Sequence, residues 1–312
     1  MNQIERFLLM LRAQNKSAHT LDNYQRDLIH FVVFYLQFGH NQAWCADELM
    51  SDPQPIDWAL VDVGLIKAYV MASVQSGLGA RTLARHLSAL RSFFQFLIAQ
   101  GEVQTNPARL VKAPKQPKPL PKSLDIDQTK QLLDQPVETW QGIRNQAIFE
   151  LLYSAGLRVS ELVSLDLSPG LDGLAAGTVQ VIGKGKKMRL ALVGAKAQQA
   201  LKAWLAIRSE KLKADEKAVF INQRGGRLSV RSIQMQLDQR AQQAGLVTKM
   251  SPHRLRHACA THVLESSGDL RAVQELLGHA NLSTTQIYTQ LDMQHLAQVY
   301  DQTHPRARKT NT

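Results

Sequence analysis

Thr178-Val-Gln-Val-Ile-Gly-Lys-Gly-Lys-Lys-Met-Arg-Leu-Ala-Leu-Val193 changes the hydrophobic period of the chain. Two runs with strand-type alternation flank a turn containing Gly183 and Gly185. That pattern predicts an antiparallel hairpin with Lys184 at its tip. The segments on both sides repeat apolar residues with helical spacing instead. Before the hairpin these are about 125–134 and 141–154; after it they are 195–207, 229–244, 252–266, 270–277 and 282–299. Ala218-Val-Phe-Ile221 reads as a possible third strand. Ser251-Pro252 reads as a helix start, with a capping serine and proline in the first turn. The second part of the chain is therefore expected to be mostly helical around a small antiparallel sheet.

The first part reads as all helix. Ile4, Phe7, Leu8 and Leu11 form one apolar stripe. A second, preceded by Ser17 as cap, runs through Leu21, Tyr24, Leu28, Phe31 and Phe34. Ile66, Tyr69 and Val70 mark a third helix. Leu83, Leu87, Leu90, Phe94 and Leu97 mark a fourth, closed by Gly101. Between the two parts lies Ala113-Pro-Lys-Gln-Pro-Lys-Pro-Leu-Pro-Lys-Ser123, with four prolines. Prolines at that density block helix and ladder pairing, so the stretch reads as an extended connector. The expected division is a helical domain over 1–113, a linker over 114–122 and a mixed domain over 123–312. The fold class is mainly α.

The length of 312 residues allows each part a real core. With 44% hydrophobic and 20% charged residues, the composition is that of a globular protein rather than a disordered one. The one long apolar run, Leu28 to Phe38, is interrupted by His30 and Gln37 and is too short to span a bilayer. No signal peptide is read at the N-terminus, and Cys45 and Cys259 give neither zinc spacing nor a disulfide framework. A cytoplasmic location is expected. The net charge of +11 favours polyanionic partners. It is unevenly placed: residues 64–113 carry six basic side chains and one acidic. On the fourth helix Arg81, Arg85 and Ser88 form a polar stripe away from the leucines. Arg81, Arg85 and Arg91 are candidate phosphate contacts there.

Four patterns in the second part carry chemistry. Gly156-Leu-Arg-Val-Ser-Glu-Leu162 turns sharply into a helix and places Arg158 at its start. Lys184 sits at a glycine-flanked loop tip, outside any GxxxxGK[ST] phosphate-loop string. In Ser251-Pro-His-Arg-Leu-Arg-His257, His253, Arg256 and His257 share one helix face. That face suits an oxyanion better than a metal, because Arg256 lies between the two histidines. His257 is expected to be structural, hydrogen-bonded inside the domain. Finally, Leu276-Leu-Gly-His-Ala280 is followed by Ser283-Thr-Thr-Gln-Ile-Tyr288, so Tyr288 lies nine residues after His279.

The order Arg158, Lys184, His253, Arg256, His279, Tyr288 resembles the tyrosine recombinase (phage integrase) family. The strings GLRVSELVSLDL, HRLRHACATHVL, LLGHANLSTTQIYTQ and SAHTLDNYQRDL resemble its bacterial Xer recombinases, on the XerC side. Three stretches depart from the pattern: 168–177 is slightly long, 43–54 makes an extended connection, and Cys259 stands where a larger apolar residue is expected. The resemblance implies a core-binding domain of the SAM-like type and a catalytic domain. It implies Tyr288 as nucleophile in a 3′-phosphotyrosyl intermediate, and Arg158, Arg256 and His279 as phosphate clamps. Lys184 would be the leaving-group acid, and His253 an acid or a base. No cofactor or metal is implied. Partners would be a duplex DNA recombination site, a XerD-type recombinase in a heterotetramer working through a Holliday junction, and an FtsK-type translocase. The role would be chromosome dimer resolution before cell division, with no membrane insertion. The tail from Leu291 to Tyr300 would dock on a neighbouring protomer or pack at home. A phage or mobile-element integrase, a type IB topoisomerase and a non-recombining DNA-binding protein are the other readings. The start of the chain directly at core-binding helices weighs against the first, and the complete six-residue set against the last.

Overall fold

The structure is a computed structural model that describes residues 2–40, 56–114, 124–183, 187–213, 216–278, 297 and 299–307. The chain divides into two compact units, Met1–Leu120 and Pro121–Thr312. The break falls inside the proline-rich stretch.

Every regular element among the first unit's described residues is a helix. Its elements are α1 (Gln3–Ala13), α2 (Ala18–His40), α3 (Val63–Gln75) and α4 (Ala80–Ala99). Asn2 and Glu5 close a reciprocal capping box on α1. Ser17 receives the Thr20 N–H at the start of α2, as its spacing suggests. The stripes meet in an aromatic core. Phe7, Phe31, Trp58, Tyr69, Phe93 and Phe94 are all buried there. Trp58 packs edge-on against Phe93 with centroids 4.7 Å apart. Each such ring contributes roughly 1.5–3 kcal/mol by leaving water. Arg81, Arg85 and Ser88 are exposed together on α4, opposite the leucines.

One polar chain crosses this apolar interior. The Tyr69 hydroxyl lies 3.0 Å from His30 Nδ1 and 2.7 Å from His86 Nδ1. His86 Nε2 lies 3.3 Å from Asp27, which also pairs with Arg85 at 2.7 Å. Burial lifts the Asp27 carboxyl to about 6, against the pull of Arg85 and Arg26. Burial, with the charges of His30 and Arg85, lowers His86 to about 4.

The second unit contains α5 (Ile126–Leu133), α6 (Trp140–Ser154), α7 (Val159–Val163), β1 (Thr178–Ile182), β2 (Met188–Leu192), α8 (Ala195–Arg208), α9 (Val230–Gln243), α10 (Pro252–Ser267) and α11 (Leu270–Leu277). α6 runs through the centre, with Ala147, Ile148, Phe149, Leu151, Leu152 and Tyr153 all buried. The hairpin forms as expected, pairing Thr178 with Leu192 through to Ile182 with Met188. Residues 168–177 fold into successive turns and a short 3-10 helix, Leu174–Ala176, and a Cβ on Gly170 would meet the Asp166 carbonyl at 2.2 Å.

Two local expectations are corrected. Residues 218–221 add no strand to the sheet. Ala218 and Ile221 each make one isolated bridge, to Asp166 and Arg227. The carbonyls of Ala218 and Val219 are taken by side chains instead: Trp204 Nε1 donates to Val219 O at 2.9 Å, and Arg208 donates to Ala218 O and Val219 O. Ser251 occupies the N-cap of α10 but its side chain makes no cap hydrogen bond, so Pro252 alone marks that start.

Residues 299–307 pack onto their own unit. Tyr300, buried, donates its hydroxyl to Ser154 O at 3.0 Å and lies 2.6 Å from Ser154 Oγ. Arg306, 4% exposed, reaches Glu150 through Nε at 2.8 Å and again through Nη2, and Asp134 at 2.7 Å. Leu291 and Leu296 of the expected docking tail lie outside the described residues, whereas Val299 and Tyr300 pack at home. No helix among the described residues is long and apolar enough to cross a membrane.

Two measurements check these pairings. Arg306→Met leaves the Glu150 carboxylate buried without its partner and is expected to cost about 3–5 kcal/mol in urea unfolding. Adding Glu150→Gln in the same chain should recover part of the loss. Asp27 binds its proton more tightly folded than unfolded, so its contribution to stability is greatest below about pH 4 and declines as pH rises through about 6. Asp27→Asn lacks that slope. Its stability relative to the native chain should rise across this window by about 1–3 kcal/mol, read from urea midpoints at a series of pH values.

Candidate active site

Gly156 starts the site. It has φ +53°, and a Cβ there would lie 2.9 Å from Leu277 Cδ2 and 3.5 Å from Cys259 Sγ. A side chain at 156 would push apart the α6–α7 turn, α10 and the end of α11. Two residues on, Arg158 is the N-cap of α7. Its backbone N–H donates to Glu161 Oε2 at 2.9 Å and its Nη1 to Glu161 Oε1 at 2.9 Å. Glu161 thus caps the helix and holds the guanidinium with one carboxylate.

Glu161 is itself 2% exposed, and a buried carboxylate with one partner is costly. The second partner is Arg189 on β2, whose Nη2 donates to Oε2 at 2.9 Å. Burial alone would raise the Glu161 carboxyl, but the hydrogen bonds and charges of Arg189 and Arg158 together hold it below the usual carboxylate range. It is ionised at neutral pH. The hairpin reaches this point too: a Cβ on Gly183 would lie 3.7 Å from Glu161 Oε1. The Gly183 N–H donates to Lys187 O at 2.8 Å and closes the base of the loop that carries Lys184 in sequence.

Arg256 comes from the second turn of α10 and is 7% exposed. Nη2 donates to Leu277 O at 2.6 Å, and Nη1 donates to Gly156 O. One guanidinium therefore ties the Arg158 turn to the last carbonyls of α11. Cations at a helix C-terminus are favoured there by the backbone dipoles. Burial first, then the nearby charge of Arg158, pushes Arg256 down to about 10, with Glu161 pulling it back up. Arg256 remains charged at neutral pH. Both guanidinium groups belong to one turn: Arg256 bonds the Gly156 carbonyl, and Arg158 follows two residues later. A pair of like charges held together in this way favours an anion between them.

His253 lies one turn before Arg256 and is exposed. His257 is exposed as well, which corrects the expectation of an internal hydrogen bond. The structural histidine of α10 is His262, whose Nδ1 lies 2.8 Å from the Tyr153 hydroxyl and whose Nε2 lies 2.8 Å from Leu124 O. Its spacing from Leu255 and Cys259 puts it on the apolar face, a signal the sequence did carry. Cys259 is fully buried against this site, and burial lifts its thiol to about 12. Lys184, His279 and Tyr288 lie outside the described residues. The structure thus brings together Arg158 and Arg256, and adds Glu161 and Arg189 to them.

In the first unit, Arg85 is turned toward Asp27 and remains half exposed. Arg91 donates from Nε to Ala108 O at 3.0 Å and from Nη2 to Val111 O at 2.6 Å. Those bonds fasten the segment after α4 onto that helix.

Comparison with known proteins follows the same division. The phage integrase family model matches residues 122–295, and that of the phage integrase N-terminal SAM-like domain matches residues 46–101. Tyrosine recombinase XerC of Actinobacillus pleuropneumoniae is 46% identical over 293 residues, 94% of this chain and 90% of the relative. Tyrosine recombinase XerC of Chromohalobacter salexigens is 45% identical over 307 residues, 98% and 96% respectively. Among solved structures, the XerH site-specific recombinase bound to its difH substrate in a pre-cleavage complex is 25% identical. Its TM-score is 0.63, covering 93% of this chain and 81% of that one. A lambda integrase dimer bound to a core site shares the fold at 16% identity and TM-score 0.63, covering 92% and 98%. The matches span both units and include the segments that hold Arg158 and Arg256, so the chain belongs to the phage integrase family, the tyrosine recombinases, enzymes of DNA strand exchange.

Proposed function

We propose that this tyrosine recombinase acts on one specific DNA site through a covalent phosphotyrosine, by a route that uses all six candidate residues. The observation that carries the reading is the pair of guanidinium groups, Arg158 and Arg256, fastened to a single turn, one through Glu161 and the other through the Gly156 carbonyl. Each can hydrogen-bond the non-bridging oxygens of one scissile phosphate, with His279 as a further donor. The Tyr288 oxygen attacks phosphorus in line with the leaving oxygen. The Tyr288 O–P bond forms and the bond from phosphorus to the 5′ oxygen breaks. The tyrosine proton goes to a base, for which His253 is the candidate, and the 5′ oxygen takes a proton from Lys184. A 5′ hydroxyl from another strand then reverses the steps. The phosphodiester energy is retained in the tyrosyl ester, so no nucleotide triphosphate enters the balance.

On a paired substrate this exchange passes through a Holliday junction. The likeness to XerC proteins supports chromosome dimer resolution as the role, with a XerD-type recombinase completing a heterotetramer, an FtsK-type translocase driving it, and the cytoplasm as the compartment. In the first unit the exposed stripe of Arg81 and Arg85 is proposed to contact DNA phosphates. Arg91, bonded to backbone carbonyls, is proposed to support that stripe from within.

The test begins with a duplex site selected by the protein from a random-sequence pool. The selected site is then offered with a nick that traps cleavage. The native chain should form a covalent adduct, and Tyr288→Phe should bind the duplex without forming one. An adduct that persists in Tyr288→Phe, or binding lost along with it, overturns the assignment of Tyr288. Affinity for the same duplex should fall steeply with salt. Arg81→Gln with Arg85→Gln should flatten the plot of log affinity against log salt by about 1–2 in slope.

A further inference from the structure

The six candidate residues lie in four segments of the chain, and three of those segments meet at one side chain that is not among the six. Arg189 stands on β2 with 11% of its side chain exposed. Its strand partner is Val181, on the buried phase of the hairpin, whereas Met188 and Leu190 beside it face solvent. A charge thus points inward where alternation calls for an apolar residue. What it meets there is specific. Nη2 donates to Glu161 Oε2 at 2.9 Å, with Nε 3.5 Å from Glu161 Oε1. Nη1 donates to Leu276 O at 3.3 Å. Gly278 packs on the same side chain: with φ +60°, a Cβ there would lie 2.8 Å from Arg189 Cδ and 2.9 Å from its Nε.

We propose that Arg189 is a positioning residue for strand cleavage: by bonding Glu161 and the Leu276 carbonyl at once, it sets the Arg158 guanidinium relative to the exit of α11, from which the chain enters His279. The inference rests on the reading of Arg158 as a phosphate clamp. Arg189 acts through Glu161 and does not touch the phosphate, because its three nitrogens already face protein acceptors. Lysine cannot replace it. An ammonium is a point charge, whereas the guanidinium fork spans a carboxylate on one side and a carbonyl on the other. Because the loop that carries Lys184 in sequence leads into β2, the same side chain also relates the hairpin to the two arginines.

The experiment measures single-turnover adduct formation on the nicked, selected duplex at saturating concentration, beside the duplex Kd and the urea midpoint. Arg189→Lys is expected to slow adduct formation by roughly ten- to hundredfold, the scale of an ångström-sized misplacement, with Kd within about twofold of the native value. Glu161→Gln should slow it also. The double variant should be no slower than the slower single, since the two residues act as one unit. Arg189→Gln supplies the same comparison if the lysine variant does not fold. A native rate in both Arg189 variants overturns the proposal. So does a raised Kd with an unchanged rate, which would make Arg189 a DNA contact. So do losses that multiply in the double variant. A lowered urea midpoint with a native rate assigns Arg189 to stability alone. If the native chain itself forms no adduct, the function proposed above fails; if it does and the Arg189 variants match it, only the role of Arg189 fails.

Discussion

A buried carboxylate shared by two guanidinium groups organises the catalytic unit. Glu161 has almost no access to water, so it stays ionised only because Arg158 and Arg189 both donate to it. Removing either cation would leave the buried carboxylate with a single partner, a costly arrangement in a poor dielectric. The demand runs the other way as well. Two guanidiniums close to a third, Arg256, repel one another, and the carboxylate between them makes that density tolerable. A phosphodiester arriving there would meet positive charge already oriented, with little reorganisation left for the transition state.

The rest of the unit keeps those charges in register. Arg256 binds the carbonyls of Gly156 and Leu277, so α10 fixes the turn before Arg158 and the end of α11 with one side chain. Glycine at 156 leaves room for the Leu277 and Cys259 side chains, and glycine at 278 leaves room for Arg189. Beneath them, α6 is buried on all sides from Ala147 to Ser154, with the polar Glu150 and Ser154 one turn apart. Those two are occupied by residues 299–307, through Arg306 and Tyr300.

Much of this architecture could be read from the residues. The hairpin follows from a change of period and two glycines, and the helices from leucines and aromatics three and four apart. The third strand was misread because Ala218 to Ile221 is as apolar as a strand. Only the fold reveals that Trp204 and Arg208 occupy its carbonyls. Arg158 and Arg256 stood out by motif. Glu161, within Gly156–Leu162, carries no distinct sequence signal, since a carboxylate three residues after an arginine is as often a surface pair. Arg189 left a fainter trace, a charge on the inward phase of a strand, which becomes informative once the partner across the sheet is known. His257 and His262 exchanged roles for the same reason: spacing shows which face a histidine shares, but the partners on that face come from distant segments such as Leu124 and Tyr153.

The seating of residues 299–307 bears on how this gene tolerates damage. A stop codon shortly after position 288 would leave every candidate catalytic side chain encoded, nucleophile included. The shortened product would nonetheless expose Ser154 and strand Glu150 in the interior without its counter-ion. Such a lesion would be read in a cell as low abundance and proteolysis, not as an intact enzyme with faulty chemistry.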